Sequence, residues 1–333
     1  MIEKQLIERI ISCFPKSSLH NNQFFESDAE VFTFKDQKLL LTTDEFSSED
    51  LFRDNHPFQL GKNLAIATIS DILASGGDPL FYAHSMAISK KWKDDFVIEL
   101  SNGIANTVKY VNAGFLGGDL GTSENWHYTG IAIGEVVQPL SRMGAKPGDA
   151  VYFTGKAGAG NLEAAIYLYF DKILIGKLIN SYKTEFHCRY NEAKLVRKYA
   201  SACIDTSDGV FNGIDTICTL NKCGFHLENI PVLQEAALAA KIIGKPEALM
   251  ILGECGEYEL LFTIPPDKIN DFKKEIKTLH FNINRIGTIK ENNIKIINFG
   301  KKELNLQGFE ISARSFVNVK DYLAKIIEFI KTA

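Results

Sequence analysis

The sequence lacks the features that mark nucleic-acid-binding, membrane-spanning and exported proteins. Its 37 basic and 41 acidic residues give a formal net charge of −4 and form no basic run, so charge gives no reason to expect nucleic acid or an anionic membrane as a partner. No stretch approaches the ~18–20 apolar residues that a bilayer-spanning helix needs. Acidic residues interrupt the apolar positions of residues 1–14, and no signal-peptide cleavage site follows them. We therefore expect a cytoplasmic protein that binds neither nucleic acid nor a membrane.

The cysteines form no CxxC pair and do not stand with histidine at the spacing of a zinc finger. Disulfides would also need the export signal that is missing. We therefore expect free thiols in a reducing compartment. The six positions are Cys13, Cys188, Cys203, Cys218, Cys223 and Cys255.

A phosphate-binding loop of the P-loop type is missing as well, because every Gly-Lys pair lacks the required upstream glycine. Gly158-x-Gly160 is a fragment of the dinucleotide-binding fingerprint, placed after a predicted strand and before a predicted helix. Glu163 occupies the position of the third small residue, where its side chain would hinder close packing of helix on strand. The two glycines therefore indicate a tight turn into a helix in preference to a dinucleotide site.

What is present is the composition of a two-domain globular protein. The chain has 333 residues, of which 45% are hydrophobic and 23% charged, and this length is long for a single core. Pro139, Gly144, Pro147 and Gly148 cluster where the pattern of helices and strands is interrupted. We therefore predict an N-terminal domain over residues 1–138 and a C-terminal domain over residues 139–333.

Hydrophobic periodicity predicts a mixture of helices and strands in both halves, hence an α/β (α+β) fold. The predicted helices lie at residues 2–14, 61–75, 94–110, 159–178, 190–200, 208–221, 267–278 and 317–330. The predicted strands lie at residues 38–43, 82–89, 114–117, 128–136, 150–154 and 257–264, with a hairpin-like pair in 282–297.

Six aspartates stand at the ends of these elements or inside an apolar helix. Four of them follow apolar residues, where a carboxylate is poorly hydrated unless a cation compensates it. Mg²⁺ is the natural cation, because it takes hard oxygen ligands and bridges carboxylates to phosphates. Each aspartate alone could equally be a helix cap or turn residue, and the residues by themselves leave both interpretations open. They are Asp28, Asp44, Asp71, Asp119, Asp205 and Asp208.

Several longer segments carry a resemblance to a known family. In this order and spacing, they resemble the thiamine-monophosphate kinases, which belong to the superfamily of aminoimidazole ribonucleotide synthetase, selenophosphate synthetase and a hydrogenase maturation factor. The resemblance covers about residues 26–310. The segments are TTDEF, LAIATISDILASGGDP, FLGGD, RMGAKPGDAVYFTG, IDTSDGV and EYELLFTIP.

The resemblance implies a fold, two cofactors and a set of site residues. The implied fold has two domains like those of aminoimidazole ribonucleotide synthetase: an N-terminal mixed sheet that pairs across a homodimer, and a C-terminal α/β domain. The implied cofactors are ATP and Mg²⁺, and Asp44, Asp71 and Asp208 would be catalytic. Nucleotide contacts would fall on Gly118, Asp119, Arg142 and Ser207. Metal ligands would fall on Asp28, Thr42, Thr43, Asp44, Asp71, Asp119, Asp205 and Asp208.

The implied substrate contacts depart from the family pattern. The family's substrate-contacting histidine falls on Leu51, and its substrate-contacting glutamate falls on Gly256, with Glu257 beside it. Phe309 matches an aromatic position of the family. Leu51, Glu257 and Phe309 are therefore the candidate substrate contacts, and the helical tail beyond about residue 315 extends past the usual family end.

These observations predict an ATP-dependent phosphotransferase with an altered pocket for a small phosphorylated or amide-bearing acceptor. Thiamine monophosphate is one possible acceptor. An alternative is an ATP-dependent enzyme related to aminoimidazole ribonucleotide synthetase that acts on another small acceptor. A second alternative is a non-catalytic ATP-binding protein that uses its C-terminal helix to meet a partner.

Overall fold

The computed structural model describes residues 3–50, 56–170, 184–300 and 302–332. In the first half of the chain, five strands form one mixed sheet. Its elements are α1 (Glu3–Ile11), β1 (Glu30–Phe34), β2 (Gln37–Ser47), α2 (Pro57–Ala74), β3 (Asp78–Ser89), α3 (Asp94–Tyr110), β4 (Gly114–Ser123) and β5 (His127–Glu135). The strand order is β1-β2-β5-β3-β4, with β3 and β4 parallel and the other neighbours antiparallel.

Helix α2 is the buried centre of this half. It begins at Pro57, whose fixed φ suits the first helical position, and nearly all of its residues are buried between the sheet and α3. Glycines allow the two helices to cross closely. A Cβ at Gly61 would lie 1.9 Å from the carbonyl oxygen of Leu100, and one at Gly103 would lie 2.0 Å from that of Phe58.

Seven strands form a second mixed sheet in the remainder of the chain. Its elements are β6 (Ala150–Thr154), α4 (Ala159–Ala165), α5 (Tyr190–Tyr199), β7 (Ala202–Asp205), α6 (Gly209–Asn221), β8 (Gly224–Leu227), α7 (Gln234–Ile242), α8 (Leu249–Leu252), β9 (Leu260–Ile264), α9 (Ile269–Leu279), β10 (Ile283–Lys290), β11 (Lys295–Phe299), β12 (Lys302–Asn305) and α10 (Val319–Thr332). The strand order is β12-β11-β8-β10-β6-β9-β7.

One hydrophobic core joins the two halves. It contains Leu64 and Ile69 of α2 together with Tyr152, Phe262 and Phe272 of the second half. The rings of Phe262 and Phe272 meet edge to face with centroids 5.8 Å apart, an arrangement that aromatic pairs prefer. The helix that carries Asp71 is thereby fixed against the second sheet.

Helix α10 covers a second core. Its buried face carries Tyr322, Ile326 and Ile330 at the spacing of one helical stripe. These side chains belong to a core cluster that also contains Phe211 and Phe309. The C-terminal helix is therefore an integral packed part of the second half.

The expected mixed α/β architecture is confirmed, but the prediction of a hairpin-like pair in residues 282–297 is wrong. β8 lies between β10 and β11, pairing antiparallel with the first and parallel with the second. The helix predicted at 159–178 ends as α4 at Ala165 and continues as a π-helical turn over Ile166–Phe170; residues 171–183 lie outside the described part.

The first sheet ends at Glu135 and the second begins at Ala150. The domain assignment to residues 1–138 and 139–333 stays a prediction. In the described part of the chain, no helix combines the length and the apolarity that crossing a bilayer requires.

Candidate functional site

Three of the six aspartates meet at one point. One carboxylate oxygen from each of Asp28, Asp71 and Asp205 lies within 4.8 Å of the other two. Asp28 precedes β1, Asp71 projects from the buried helix α2, and Asp205 ends β7. The cluster therefore takes two residues from the first half of the chain and one from the second.

Neighbouring hydroxyl groups orient two of these carboxylates. Thr42 on β2 donates a hydrogen bond from Oγ1 to Oδ2 of Asp71 at 2.5 Å. Ser70 donates from Oγ to Oδ2 of Asp205 at 2.5 Å, and Ser207 donates to its Oδ1 at 3.0 Å. These short charge-assisted bonds fix the direction of the carboxylates.

Asp28 is held by an arginine and keeps one oxygen free. Arg142 Nη2 donates to Asp28 Oδ1 at 2.7 Å, and the Asp28 side chain is only 2% exposed. The same guanidinium donates from Nη1 to the carbonyl oxygen of Phe25 at 3.4 Å. The other oxygen, Asp28 Oδ2, is buried without a hydrogen-bond partner among the described residues. A buried, unpaired carboxylate oxygen is costly unless a cation approaches it.

The carboxylates are crowded together in a poorly solvated place. Burial, with the charges of Asp205 and Asp28 acting in the same direction, raises the pKa of Asp44 to about 8. Burial raises the pKa of Asp205 to about 7, and it also raises the pKa of Asp71, with the Asp44 charge adding to the rise. The pKa of Asp28 is raised by burial although Arg142 opposes the shift. Groups in such surroundings favour either protonation or a bound cation.

The donor set fits Mg²⁺. All of its candidate ligand atoms are carboxylate or hydroxyl oxygens, which Mg²⁺ prefers, and Asp28 Oδ2 has no hydrogen-bond partner among the described residues. Mg²⁺ is usually bound through a few carboxylates together with phosphate oxygens. The cluster can therefore hold a cation that also contacts a phosphate chain.

A cleft of about 620 Å³ lies next to the cluster. Asp44 lies between the two, because it lines the cleft and its charge acts on Asp71 of the cluster. Seven carboxylate side chains line the cleft, against one arginine and one histidine among its described residues. The carboxylates are Asp44, Glu45, Glu49, Asp50, Glu163, Asp208 and Glu254.

The structure brings together some of the site residues predicted from the sequence and separates others. Asp28, Thr42, Asp44, Asp71, Arg142, Asp205, Ser207 and Asp208 lie in the cluster or along the cleft. Thr43 is exposed and alternates in burial with Thr42 along β2. Gly118 and Asp119 are exposed on β4, at the end of the first sheet. The individual roles of all these residues stay predictions.

Of the three candidate substrate contacts, Glu257 and Phe309 are not among the described residues that line the cleft. Leu51 lies outside the described residues. The buried carboxylate of Glu257 accepts hydrogen bonds from the backbone N–H groups of Gly158 and Ala159, at 2.7 and 2.8 Å. Phe309 is buried against Phe211 in the second core. Their assignment to the substrate stays a prediction.

Several polar residues of the site were not predicted from the sequence. Gln59 Nε2 donates to Asn63 Oδ1, and Asn63 Nδ2 donates to the carbonyl oxygen of Thr184. Thr184 Oγ1 is buried without a hydrogen-bond partner in the described part of the chain, and all three residues line the cleft. The i, i+4 pair of amides in a mostly apolar helix was a usable signal. Glu254, which also lines the cleft, had no such signal.

Comparison with known proteins supports one family. Residues 26–136 match the family "AIR synthase related protein, N-terminal domain". The thiamine-monophosphate kinase of Pyrococcus horikoshii is 27% identical over 294 residues, covering 87% of this chain and 89% of the relative. The corresponding enzyme of Aquifex aeolicus is 25% identical over 267 residues, covering 77% and 85%.

Solved structures agree on the fold. AaThiL complexed with AMPPCP and TMP superposes with a TM-score of 0.74 at 22% identity, covering 91% of this chain and 96% of that one. Escherichia coli HypE, a hydrogenase maturation protein, superposes with a TM-score of 0.67 at 14% identity, covering 91% and 96%. Residues 26–136 accordingly match an AIR synthase related N-terminal domain, and most of the chain is similar in sequence to the thiamine-monophosphate kinases.

Proposed function

We propose that the chain is an ATP-dependent phosphotransferase that resembles thiamine-monophosphate kinase and has an altered acceptor pocket. The reaction is thiamine phosphate plus ATP giving thiamine diphosphate plus ADP. The observation that carries the proposal is the buried aspartate cluster at the edge of the cleft, built from both halves of the chain. Relatives with this name match most of the chain, and the fold matches a structure complexed with AMPPCP and TMP.

Asp28, Asp71 and Asp205, with Asp44 beside them, would hold Mg²⁺. Bound Mg²⁺ offsets the negative charge of the phosphates and of the transferring phosphoryl group. The protein contributes orientation: Thr42 aligns Asp71 through a hydrogen bond. Without a cation, these carboxylates would repel ATP.

The cleft suits an acceptor with a cationic ring. Its described lining is mainly acidic, and the thiazolium ring of thiamine phosphate carries a permanent positive charge. Phe186 and Tyr258 also line the cleft, with ring centroids 4.9 Å apart and an edge-to-face geometry. Aromatic faces attract cations as well as flat rings.

Transfer would be direct and in line, because positioning and Mg²⁺ electrostatics suffice for phosphoryl transfer without a covalent nucleophile. Cys255 lines the cleft, but burial raises the pKa of its thiol to about 12. A neutral thiol is a weak nucleophile. Positioning of the acceptor phosphate against the γ-phosphate is then the main contribution of the protein.

The acceptor pocket differs from that of the family at Gly256. A Cβ at this position would lie 2.6 Å from the Tyr258 ring and 2.9 Å from the carbonyl oxygen of Ser207. The space of a side chain at Gly256 is therefore occupied by Tyr258. We propose that thiamine monophosphate is a poor substrate, because one polar contact is replaced by packing.

The test is Mg²⁺-dependent formation of thiamine diphosphate and ADP from thiamine monophosphate and ATP. Asp71→Asn and Asp205→Asn should each lower kcat/KM by about 10²–10³-fold, the usual loss on removing a key electrostatic group. Asp78→Asn is the matched control, because Asp78 pairs with Arg197 outside the cluster. Wild-type activity in both cluster variants would refute the proposal.

Two other functions remain alternatives to this one. The departures at Leu51 and Gly256 favour a different small phosphorylated or amide-bearing acceptor, on which an aminoimidazole ribonucleotide synthetase-related enzyme would act. ATP turnover with such acceptors but not with thiamine monophosphate would support that function. Binding of AMPPCP without turnover on any acceptor would instead support a non-catalytic ATP-binding protein.

We also propose that the chain forms a homodimer through its N-terminal sheet. β4 is an edge strand of this sheet. It exposes Phe115, Leu116 and Leu120, whose exposed fractions are 55%, 62% and 63%. A long edge strand with exposed apolar side chains is ordinarily covered by a partner.

A further inference from the structure

The segment after the second sheet reaches back to the wall of the cleft. Glu254, Cys255 and Gly256 form the loop between α8 and β9 and line the cleft together with Ala313 and Arg314. Residues 312–322, which include the first turn of α10, contact this loop directly. The sequence resemblance covers about residues 26–310 and ends before this segment.

Three hydrogen bonds connect the two segments at Glu254. Its carboxylate oxygen Oε2 accepts from the backbone N–H of Ala313 at 3.0 Å and from Oγ of Ser312 at 3.3 Å. The backbone N–H of Glu254 donates to the hydroxyl oxygen of Tyr322 at 3.2 Å. Both the side chain and the backbone of Glu254 are thus fixed by the C-terminal segment.

Tyr322 is itself firmly placed. It is 4% exposed and belongs to the second core with Ile326 and Ile330 on the same face of α10. Its ring also lies against Phe316, with centroids 6.0 Å apart. A hydroxyl group carried by a packed helix makes a rigid acceptor for the amide of the loop.

Glu254 presents spare hydrogen-bonding capacity to the cleft. A carboxylate accepts about four hydrogen bonds, and its donors here are Ser312, Ala313 and the side chain of Asn212. Glu254 is partly exposed, whereas Glu257 is 2% exposed and bonds to the start of α4. Of the two glutamates, Glu254 is the one that lines the cleft.

We propose that Glu254 recognises a cationic or N–H-bearing group of the acceptor, and that Tyr322 is a positioning residue that holds Glu254 in place. The recognition half of this proposal rests on the proposed phosphotransfer function. The C-terminal helix is, on this view, part of the acceptor site.

The kinetic experiment compares KM for thiamine monophosphate, kcat and the Kd of AMPPCP in four variants. Glu254→Gln should raise KM about tenfold or more, with kcat and AMPPCP affinity close to wild type, because one charged contact is lost. Tyr322→Phe should raise KM about three- to tenfold. The double variant should match Glu254→Gln, because Tyr322 acts through Glu254. Glu247→Gln, an exposed glutamate outside the cleft, should match wild type.

An unchanged KM in Glu254→Gln, or additive effects in the double variant, would overturn the proposal while leaving phosphotransfer intact.

Hydrogen exchange tests the positioning role without any acceptor. Tyr322→Phe should speed exchange of the Glu254 amide about threefold or more. Tyr152→Phe is its control, because the buried Tyr152 hydroxyl has no partner among the described residues. Equal exchange in Tyr322→Phe and wild type would refute the positioning role.

Thiamine binding separates failure of this inference from failure of the proposed function. A wild type that transfers no phosphate but binds thiamine, with binding lost in Glu254→Gln, would contradict the phosphotransfer and support the recognition by Glu254. A wild type that binds neither thiamine nor its monophosphate would overturn the recognition half.

Discussion

Glu257 places its carboxylate where a helix N-terminus ordinarily attracts an anion. Gly158 adopts a φ of +104°, which glycine tolerates at little cost. The backbone N–H groups of Gly158 and Ala159 consequently donate to the two carboxylate oxygens. The glycine turn that resembles a dinucleotide fingerprint thus binds a side chain of the same molecule.

We predict that Glu257 makes the stability of the protein depend on pH. Burial raises the pKa of Glu257 from 4.5 to about 8, although the N–H donors oppose the rise. Between these values the folded state keeps a proton that the unfolded state releases, so the free energy of unfolding falls as pH rises. Glu257→Gln should show a shallower fall in urea unfolding between pH values of about 5 and about 8.

The control for this prediction is Glu303→Gln, which changes an exposed glutamate on β12. It should keep the wild-type dependence on pH. If Glu257→Gln and wild type lost stability in parallel across the same interval, Glu257 would not carry the effect.

The sequence alone predicts some residues of the site and not others. Asp71 and Asp205 could be predicted, because a carboxylate within or after apolar residues requires a compensating partner. Glu254 could not, because its contact with the cleft depends on Tyr322, which is 68 positions away along the chain. The exposure of Asp119 depends on β4 being the terminal strand, which strand periodicity does not specify.

At the scale of elements, the crossing of α2 and α3 fixes the position of Asp71. The two helices approach through Gly61 and Gly103, and each would place a Cβ within about 2 Å of a carbonyl oxygen of the other helix. Such close backbone approach leaves no room for any side chain. The depth of α2 against the sheet, and with it the place of Asp71, depends on these glycines.

We predict that Gly103→Ala destabilises the protein by about 1–3 kcal/mol, the usual range for overpacking a core. Urea unfolding would measure the loss of stability. The rate of thiamine diphosphate formation would report a shift of α2, which carries Asp71. Gly213→Ala on α6 is the matched helical control, because its Cβ would make ordinary contacts at 3.5 Å. That variant should be neutral or more stable, since alanine favours helix by about 1 kcal/mol over glycine. Equal stability of the two variants would contradict the close crossing.

Elements with a clear period were predictable, and short ones were not. α3 follows its amphipathic pattern over Asp94–Tyr110, as expected. β8 has only four residues, Gly224–Leu227, which is too few to show a period. Because β8 inserts between β10 and β11, missing it turned two non-adjacent strands into a predicted hairpin.

At the scale of the molecule, the two halves share one core and one cluster of carboxylates. The order of motifs along the chain predicted the fold. It could not predict how they face each other, because that depends on packing between α2 and the second sheet. The cleft exists only where this packing brings Asp44 opposite Asp208 and Glu254.

The last prediction concerns assembly. Because β4 ends the first sheet and exposes three large apolar side chains, light scattering at micromolar concentration should give twice the 37.2 kDa of one chain. Leu116→Glu should weaken the dimer by about 10²-fold or more, because it buries an unpaired charge in the interface. Val137→Glu is the control, because Val137 is 96% exposed and lies outside β4; it should remain dimeric. A wild type with the mass of one chain would contradict the dimer, and a dimeric Leu116→Glu would exclude β4 as its interface.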